Sequence, residues 1–136
     1  MNFDQKIQPR LIVRGADEAL AFYVRAFGAS LVERYVHEGQ VVHAELDFGG
    51  FTVQLTESAP HWHNHAPDAL GGTPVLLSLG VEDAFATEAR LLEAGCQSIF
   101  PVADQFYGSR DGRLRDPYGH VWILTQPIED LGPEQI

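Results

Sequence analysis

The sequence predicts an α+β fold built from two βαβββ modules, about residues 7–57 and 74–126, within a single domain spanning 1–136. Three observations predict it. The order strand, helix, strand, strand, strand can be read twice from hydrophobic periodicity. The helix-ending segments Ala26-Phe27-Gly28-Ala29 and Leu92-Glu93-Ala94-Gly95-Cys96 recur about half a chain apart, as an internal repeat should. The middle strands alternate polar with apolar residues, so each has one face to bury and one wetter face.

The first strand is expected over 7–13, where Pro9 suits a strand start or an edge. Asp17 can cap a helix over 18–27, whose Leu20, Phe22, Tyr23, Ala26 and Phe27 recur at helical spacing. Gly28 supplies its left-handed stop. Strands near 30–37, 41–48 and 51–57 follow, joined by turns at Glu38-Gly39 and Gly49-Gly50. In the second of these, Ala44, Leu46 and Phe48 share a face opposite His43, Glu45 and Asp47. In the third, Phe51, Val53 and Leu55 lie opposite Thr52, Gln54 and Thr56. The apolar faces should pack on helices and the polar faces should line a cavity. Residues 58–73 have two prolines, two glycines and no period, and read as a long loop. The second module then runs as a strand over 75–81, a helix over 84–93 capped by Asp83, and strands near 97–100, 112–115 and 120–126.

Composition narrows the function. The chain has 136 residues, 45% of them hydrophobic and 21% charged, as in an ordinary globular domain. Its net charge of −10 argues against nucleic acid, which calls for clustered Lys and Arg. An acidic surface instead steers cationic small ligands. No apolar run is long enough for a membrane helix and the N-terminus has no signal-peptide core, so a cytoplasmic protein is expected. A lone cysteine, Cys96, excludes an internal disulfide and a cysteine-rich zinc site, and reads as a small buried residue.

A family resemblance covers about residues 7–130. Leu11-Ile12-Val13, Glu18-Ala19-Leu20-Ala21-Phe22-Tyr23 and Ala26-Phe27-Gly28-Ala29 resemble the opening of the glyoxalase/bleomycin resistance protein/dioxygenase proteins, the vicinal oxygen chelate superfamily, and its PhnB-like branch in particular. His43-Ala44-Glu45-Leu46, Tyr107-Gly108-Ser109-Arg110-Asp111-Gly112 and Asp116-Pro117-Tyr118-Gly119-His120-Val121-Trp122 continue the likeness. The resemblance implies mixed sheets curled around a cleft and a homodimer. Its enzymes hold a divalent metal in the cleft, and other members hold an antibiotic without one. Carried over by these motifs, the metal-ligand positions fall at Gln8, Gln54, near Leu76 and at Ile123. Two amides and two aliphatics make a poor donor set, and a shift of one residue at Leu76 or Ile123 still meets apolar side chains. No metal and no other cofactor is therefore expected.

The ligand-binding residues read from the sequence are Gln8, Arg10, His43, Glu45 and Gln54 in the first module, Trp62 in the loop, and Phe106, Tyr107 and Ile123 in the second. Trp62 offers a plane for stacking on a flat or cationic ligand. Its neighbours His61, His63 and His65 alternate, which could present three imidazoles to a metal only if extended. Arg110 and Asp111 suggest a buried ion pair bracing their loop, or an Arg facing an anionic ligand group. Trp122, out of phase with Ile123, reads as core. The function expected is sequestration of a hydrophobic aromatic compound, an antibiotic with cationic character, with no bond made or broken. The rival reading is a metal-dependent isomerase, dioxygenase or thiol transferase with a site displaced to His43, Glu45 and Gln54.

Overall fold

The structure, a computed structural model, describes residues 3–130 and 132–135. It comprises two compact units, Met1–Ala66 and Pro67–Ile136. The first contains strand β1 (Arg10–Val13), helix α1 (Ala16–Phe27), strands β2 (Ser30–His37), β3 (Gln40–Asp47) and β4 (Thr52–Glu57), and a 3-10 turn at Pro60–Trp62. The second contains a short helix α2 (Pro67–Leu70), β5 (Leu76–Gly80), α3 (Ala84–Glu93), β6 (Gln97–Asp104), β7 (Ser109–Arg115), β8 (Val121–Pro127) and a 3-10 turn at Pro133–Gln135.

Each unit holds one four-stranded mixed sheet of the same topology, in the order β1-β4-β3-β2 and β5-β8-β7-β6. The first and last strands of each module pair in parallel, and the rest pair antiparallel. This is the expected α+β arrangement of two βαβββ modules. Because parallel neighbours cannot be joined by a tight turn, the helix and two strands carry the chain across. No helix among the described residues is long and apolar enough to cross a membrane.

One face of each sheet is covered by its helix. In the first unit Leu11, Val13, Ala44, Leu46 and Leu55 are buried with Leu20, Phe22, Tyr23 and Ala26 of α1. Phe48 closes the end of this core, its ring edge-on to Phe27 at 5.8 Å. In the second unit Ala84 and Leu91 of α3 are buried with Leu114, Trp122 and Leu124. Each large side chain so buried contributes roughly 1.5–3 kcal/mol relative to exposure. Phe51, expected on the apolar face, instead precedes β4 and is 79% exposed.

The helix ends follow local chemistry, with one correction. Gly28 takes the left-handed conformation (φ 72°) and donates its N–H to Tyr23 O, stopping α1 as expected. Asp83 caps α3 by accepting from Ala86 N at 3.0 Å. Asp17, however, does not cap α1. The cap position is Gly15, and Asp17 lies inside the first turn, where its carboxylate accepts from Arg34 Nε at 2.7 Å. That hydrogen bond holds the Asp17 carboxyl below its ordinary range. The cap comes from Glu57 at the end of β4, whose two oxygens accept from Gly15 N and Ala16 N, both at 3.0 Å.

The segment read as a long loop contains short elements. It holds the Pro60–Trp62 turn, an Ala59–Asn64 bridge and α2. Two strands of the second module exceed their predicted lengths: β6 runs on to Asp104 and β7 starts at Ser109. Pro101 is accommodated because β6 is an edge strand, where a missing N–H costs no ladder bond.

Candidate functional site

The face of the first sheet away from α1 carries a hydrogen-bonded polar network. Arg10, Gln54, Glu45 and Glu33 stand in direct cross-strand register, one from each strand. Arg10 Nε donates to Gln54 Oε1 at 2.8 Å. Gln54 Nε2 donates to Gln8 Oε1 at 3.1 Å, and Gln8 Nε2 donates to Glu45 and to Thr52. A single residue ahead of the first strand thus ties β3 and β4 together.

His43 and Tyr35 form the next cross-strand pair, their rings stacked at 6.0 Å and 21°. Glu33 joins them: its Oε1 lies 2.9 Å from His43 Nε2, and its Oε2 accepts from the Tyr35 hydroxyl at 3.2 Å. Arg10 Nη2 lies 3.5 Å from His43 Nδ1. A guanidinium can only donate, so a hydrogen bond there makes Nδ1 the acceptor and leaves Nε2–H to donate to Glu33. The Glu33 charge, with its hydrogen bond, raises the Tyr35 phenol above its ordinary value.

The structure therefore brings together Gln8, Arg10, His43, Glu45 and Gln54, and adds Glu33 and Tyr35, which the sequence reading left out. The alternation of β2 was the available signal. Glu33 and Tyr35 share a face two residues apart, between register shifts at Leu31/Glu33 and Tyr35/Val36 that keep the rest of the strand out of step with them.

Trp62 lies on the 3-10 turn, 65% exposed, with His61 as its ring neighbour at 5.5 Å. The three imidazoles do not form an extended row. His63 takes a left-handed φ of 62°, and the rings of His63 and His65 meet edge-on at 6.4 Å. Among the described residues no group of three or more His, Cys, Asp or Glu is arranged to hold a metal ion.

On the second sheet, Ser78, Ile123, Arg113 and Phe100 form the row equivalent to the first unit's polar row. Ile123 is half-buried and alternates with the buried Trp122 and Leu124, so it faces away from α3. Phe106 is 76% exposed, and its ring meets Tyr107 edge-on at 5.1 Å. The Tyr107 hydroxyl donates to Asp111 Oδ2 at 2.8 Å, which raises the phenol above its ordinary value. Asp111 Oδ1 is buried without a hydrogen-bond partner. The expected Arg110–Asp111 ion pair is not formed. Arg110 points to the helix side, pairs with Asp104 at 2.6 Å and lies 4.8 Å from the Phe85 ring centroid.

The chemistry of these positions does not fit a divalent metal. In the first unit the two amides are already hydrogen-bonded to each other and to Glu45, Thr52 and Arg10. In the second, Leu76 and Ile123 offer no donor atom.

Fold and sequence together define the class. Residues 7–124 match the model of the glyoxalase/bleomycin resistance protein/dioxygenase superfamily, and the chain belongs to that family. Uncharacterized proteins of Mycobacterium bovis and Mycobacterium tuberculosis are each 37% identical over 140 residues, spanning 100% of this chain and 92% and 82% of theirs. Among solved structures, TioX from Micromonospora sp. ML1 is similar at a TM-score of 0.70 and 27% identity, covering 94% of this chain and 100% of TioX. A PhnB protein from Bacillus cereus is similar at a TM-score of 0.68 and 25% identity, covering 90% of this chain and 99% of that one.

Proposed function

We propose that this chain is a metal-free binding protein that sequesters a small hydrophobic aromatic compound with cationic character, an antibiotic in kind, in a dimer within the cytoplasm. One observation carries the reading. Where the family's enzymes would present metal ligands, Gln8 and Gln54 spend their amides on each other and Ile123 brings only hydrocarbon. The face of the first sheet away from α1 supports the ligand class, for Glu33, Glu45 and Asp47 stand there with Arg10. The exposed rings of Tyr35, Trp62 and Phe106 supply stacking surface. Protection against a toxic compound would come from mass action alone, so it requires tight binding and abundant protein.

The test is a fluorescence titration of metal-stripped protein with cationic aromatic antibiotics, alongside metal analysis of the purified protein by plasma mass spectrometry. Saturable quenching at micromolar drug, unchanged by a chelator, is expected. A stoichiometric metal retained through desalting, or a turnover that a chelator abolishes, would overturn the reading.

A further inference from the structure

Arg110 and Arg113 are both half-buried on β7, and they are held differently. Arg34 is held by Asp17, Arg110 by Asp104, and Arg10 by Gln54 and His43. Arg113, half-buried on β7, makes no salt bridge and no hydrogen bond among the described residues. Its guanidinium instead lies over the Phe100 ring, 5.3 Å from the centroid. Partly desolvating five N–H donors without an acceptor is unfavourable, and the fork geometry of those donors matches a pair of oxygens.

The surroundings select what those oxygens belong to. Arg113 stands between Ile123 and Phe100 in the cross-strand row, so an apolar side chain and an aromatic ring flank the fork. Phe100 is 58% exposed and can accept a flat ring at its free edge or face. Asp111, two residues back on the same strand face, is hydrogen-bonded to Tyr107 and makes no salt bridge with Arg113. Arg115, two residues further along the same alternation, adds a second positive charge.

We propose that the face of the second unit's sheet away from α3 carries an oxyanion-binding site for a flat aromatic carboxylate, with Arg113 as the two-donor fork and Phe100 as the ring wall. This rests on the binding-protein reading and deepens it: the sequestered aromatic compound carries an acidic group for this sheet in addition to its cationic character. A guanidinium holds a carboxylate through two parallel charge-assisted hydrogen bonds, which a lysine ammonium cannot reproduce.

The experiment is calorimetric titration of the full chain with naphthoate, naphthylmethylammonium and naphthalenemethanol, repeated on Arg113→Lys, Arg113→Gln and Phe100→Leu, each variant's melting curve showing that it folds. Naphthoate is expected to bind better than the neutral naphthalenemethanol, to weaken about tenfold or more in both Arg113 variants, and to weaken less in Phe100→Leu. Its affinity should also fall with salt. Naphthoate binding that stays within about twofold in Arg113→Gln, or ammonium-probe binding that weakens in the Arg113 variants as much as naphthoate binding does, would overturn the site. The same variants titrated with antibiotics separate the two readings. Drug binding that ignores Arg113 while naphthoate is not bound sinks this site alone. Naphthoate binding that needs Arg113, with no antibiotic bound, sinks the drug-sequestration reading alone.

Discussion

Glu57 and Gln126 hold equivalent posts in the two units. Each lies near the end of its module's last strand and lends side-chain oxygen to the N-terminus of that module's helix. Glu57 accepts from Gly15 N and Ala16 N, and Gln126 Oε1 accepts from Ala84 N at 2.9 Å. The repeat thus extends to the bond that fastens helix to sheet. In α3 a local cap, Asp83, shares the task; α1 has no side-chain cap of its own beyond Glu57. Glu57→Ala should therefore destabilise the protein by about 1–2 kcal/mol, as loss of a helix cap does. Gln126→Ala should cost less. Urea unfolding of both variants checks the order, and equal costs would show that the caps are not the cause.

A second prediction concerns the turn before β8. Asp116 is 3% exposed and accepts from Trp122 Nε1 at 2.9 Å, Tyr118 N at 2.9 Å and His120 N at 3.1 Å. Asp116→Ala strands all three donors, one of them on the buried indole, and is expected to cost about 3 kcal/mol. Asp116→Asn keeps an acceptor oxygen and should cost less. Thermal melts, with the near-ultraviolet signal of the tryptophans, measure both.

Which parts of this were legible in the sequence follows from the range of the interactions involved. The helices and the repeat were legible because periodicity, Gly28 and Asp83 act within a few residues. The cap of α1 was not, since its oxygen comes from Glu57, more than a strand away, while Asp17 offered a plausible local substitute. Alternation in β3 and β4 correctly put His43, Glu45 and Gln54 on one face. Glu33 and Tyr35 were not found because which face of β2 meets that row is set by its bulged pairing with β3, which the sequence does not display. For Arg110 the adjacent Asp111 suggested a pair, yet side chains next to each other on a strand point to opposite faces. The same rule, applied two residues on, would have found Arg113.

Gly112 makes a third, steric prediction. A Cβ added there would meet Val102 Cγ2 at 2.5 Å and Val102 N at 2.9 Å. Val102 lies on β6 where its pairing with β7 slips between Phe100 and Ala103, so the strands approach more closely than a side chain permits. Gly112→Ala is expected to destabilise by about 1–3 kcal/mol, the usual cost of overpacking. Pairing it with Val102→Ala should recover part of that loss, because the side-chain clash goes while the backbone contact stays. Denaturant midpoints of the two single variants and the double variant give the coupling, and purely additive effects would remove the explanation.

Cys96 supplies the last prediction. The residue is 7% exposed, just past the end of α3, with Gly95 before it in a left-handed turn of φ 111°. Burial, helped by the negative charge of Asp116, pushes its thiol from 9.0 up to about 12. A thiolate is the reacting species, so the native protein should be inert to an aromatic disulfide reagent at mild alkaline pH and react at once in urea. The sign for stability follows from the same shift. The folded state favours the protonated thiol, so its contribution is complete below 9, where the unfolded thiol is also protonated. It is lost as pH rises toward 12, because only the unfolded chain then releases the proton readily. Stability measured across that window should fall more steeply in the native sequence than in Cys96→Ala. Parallel curves, or rapid labelling of the folded protein, would place the thiol at the surface instead.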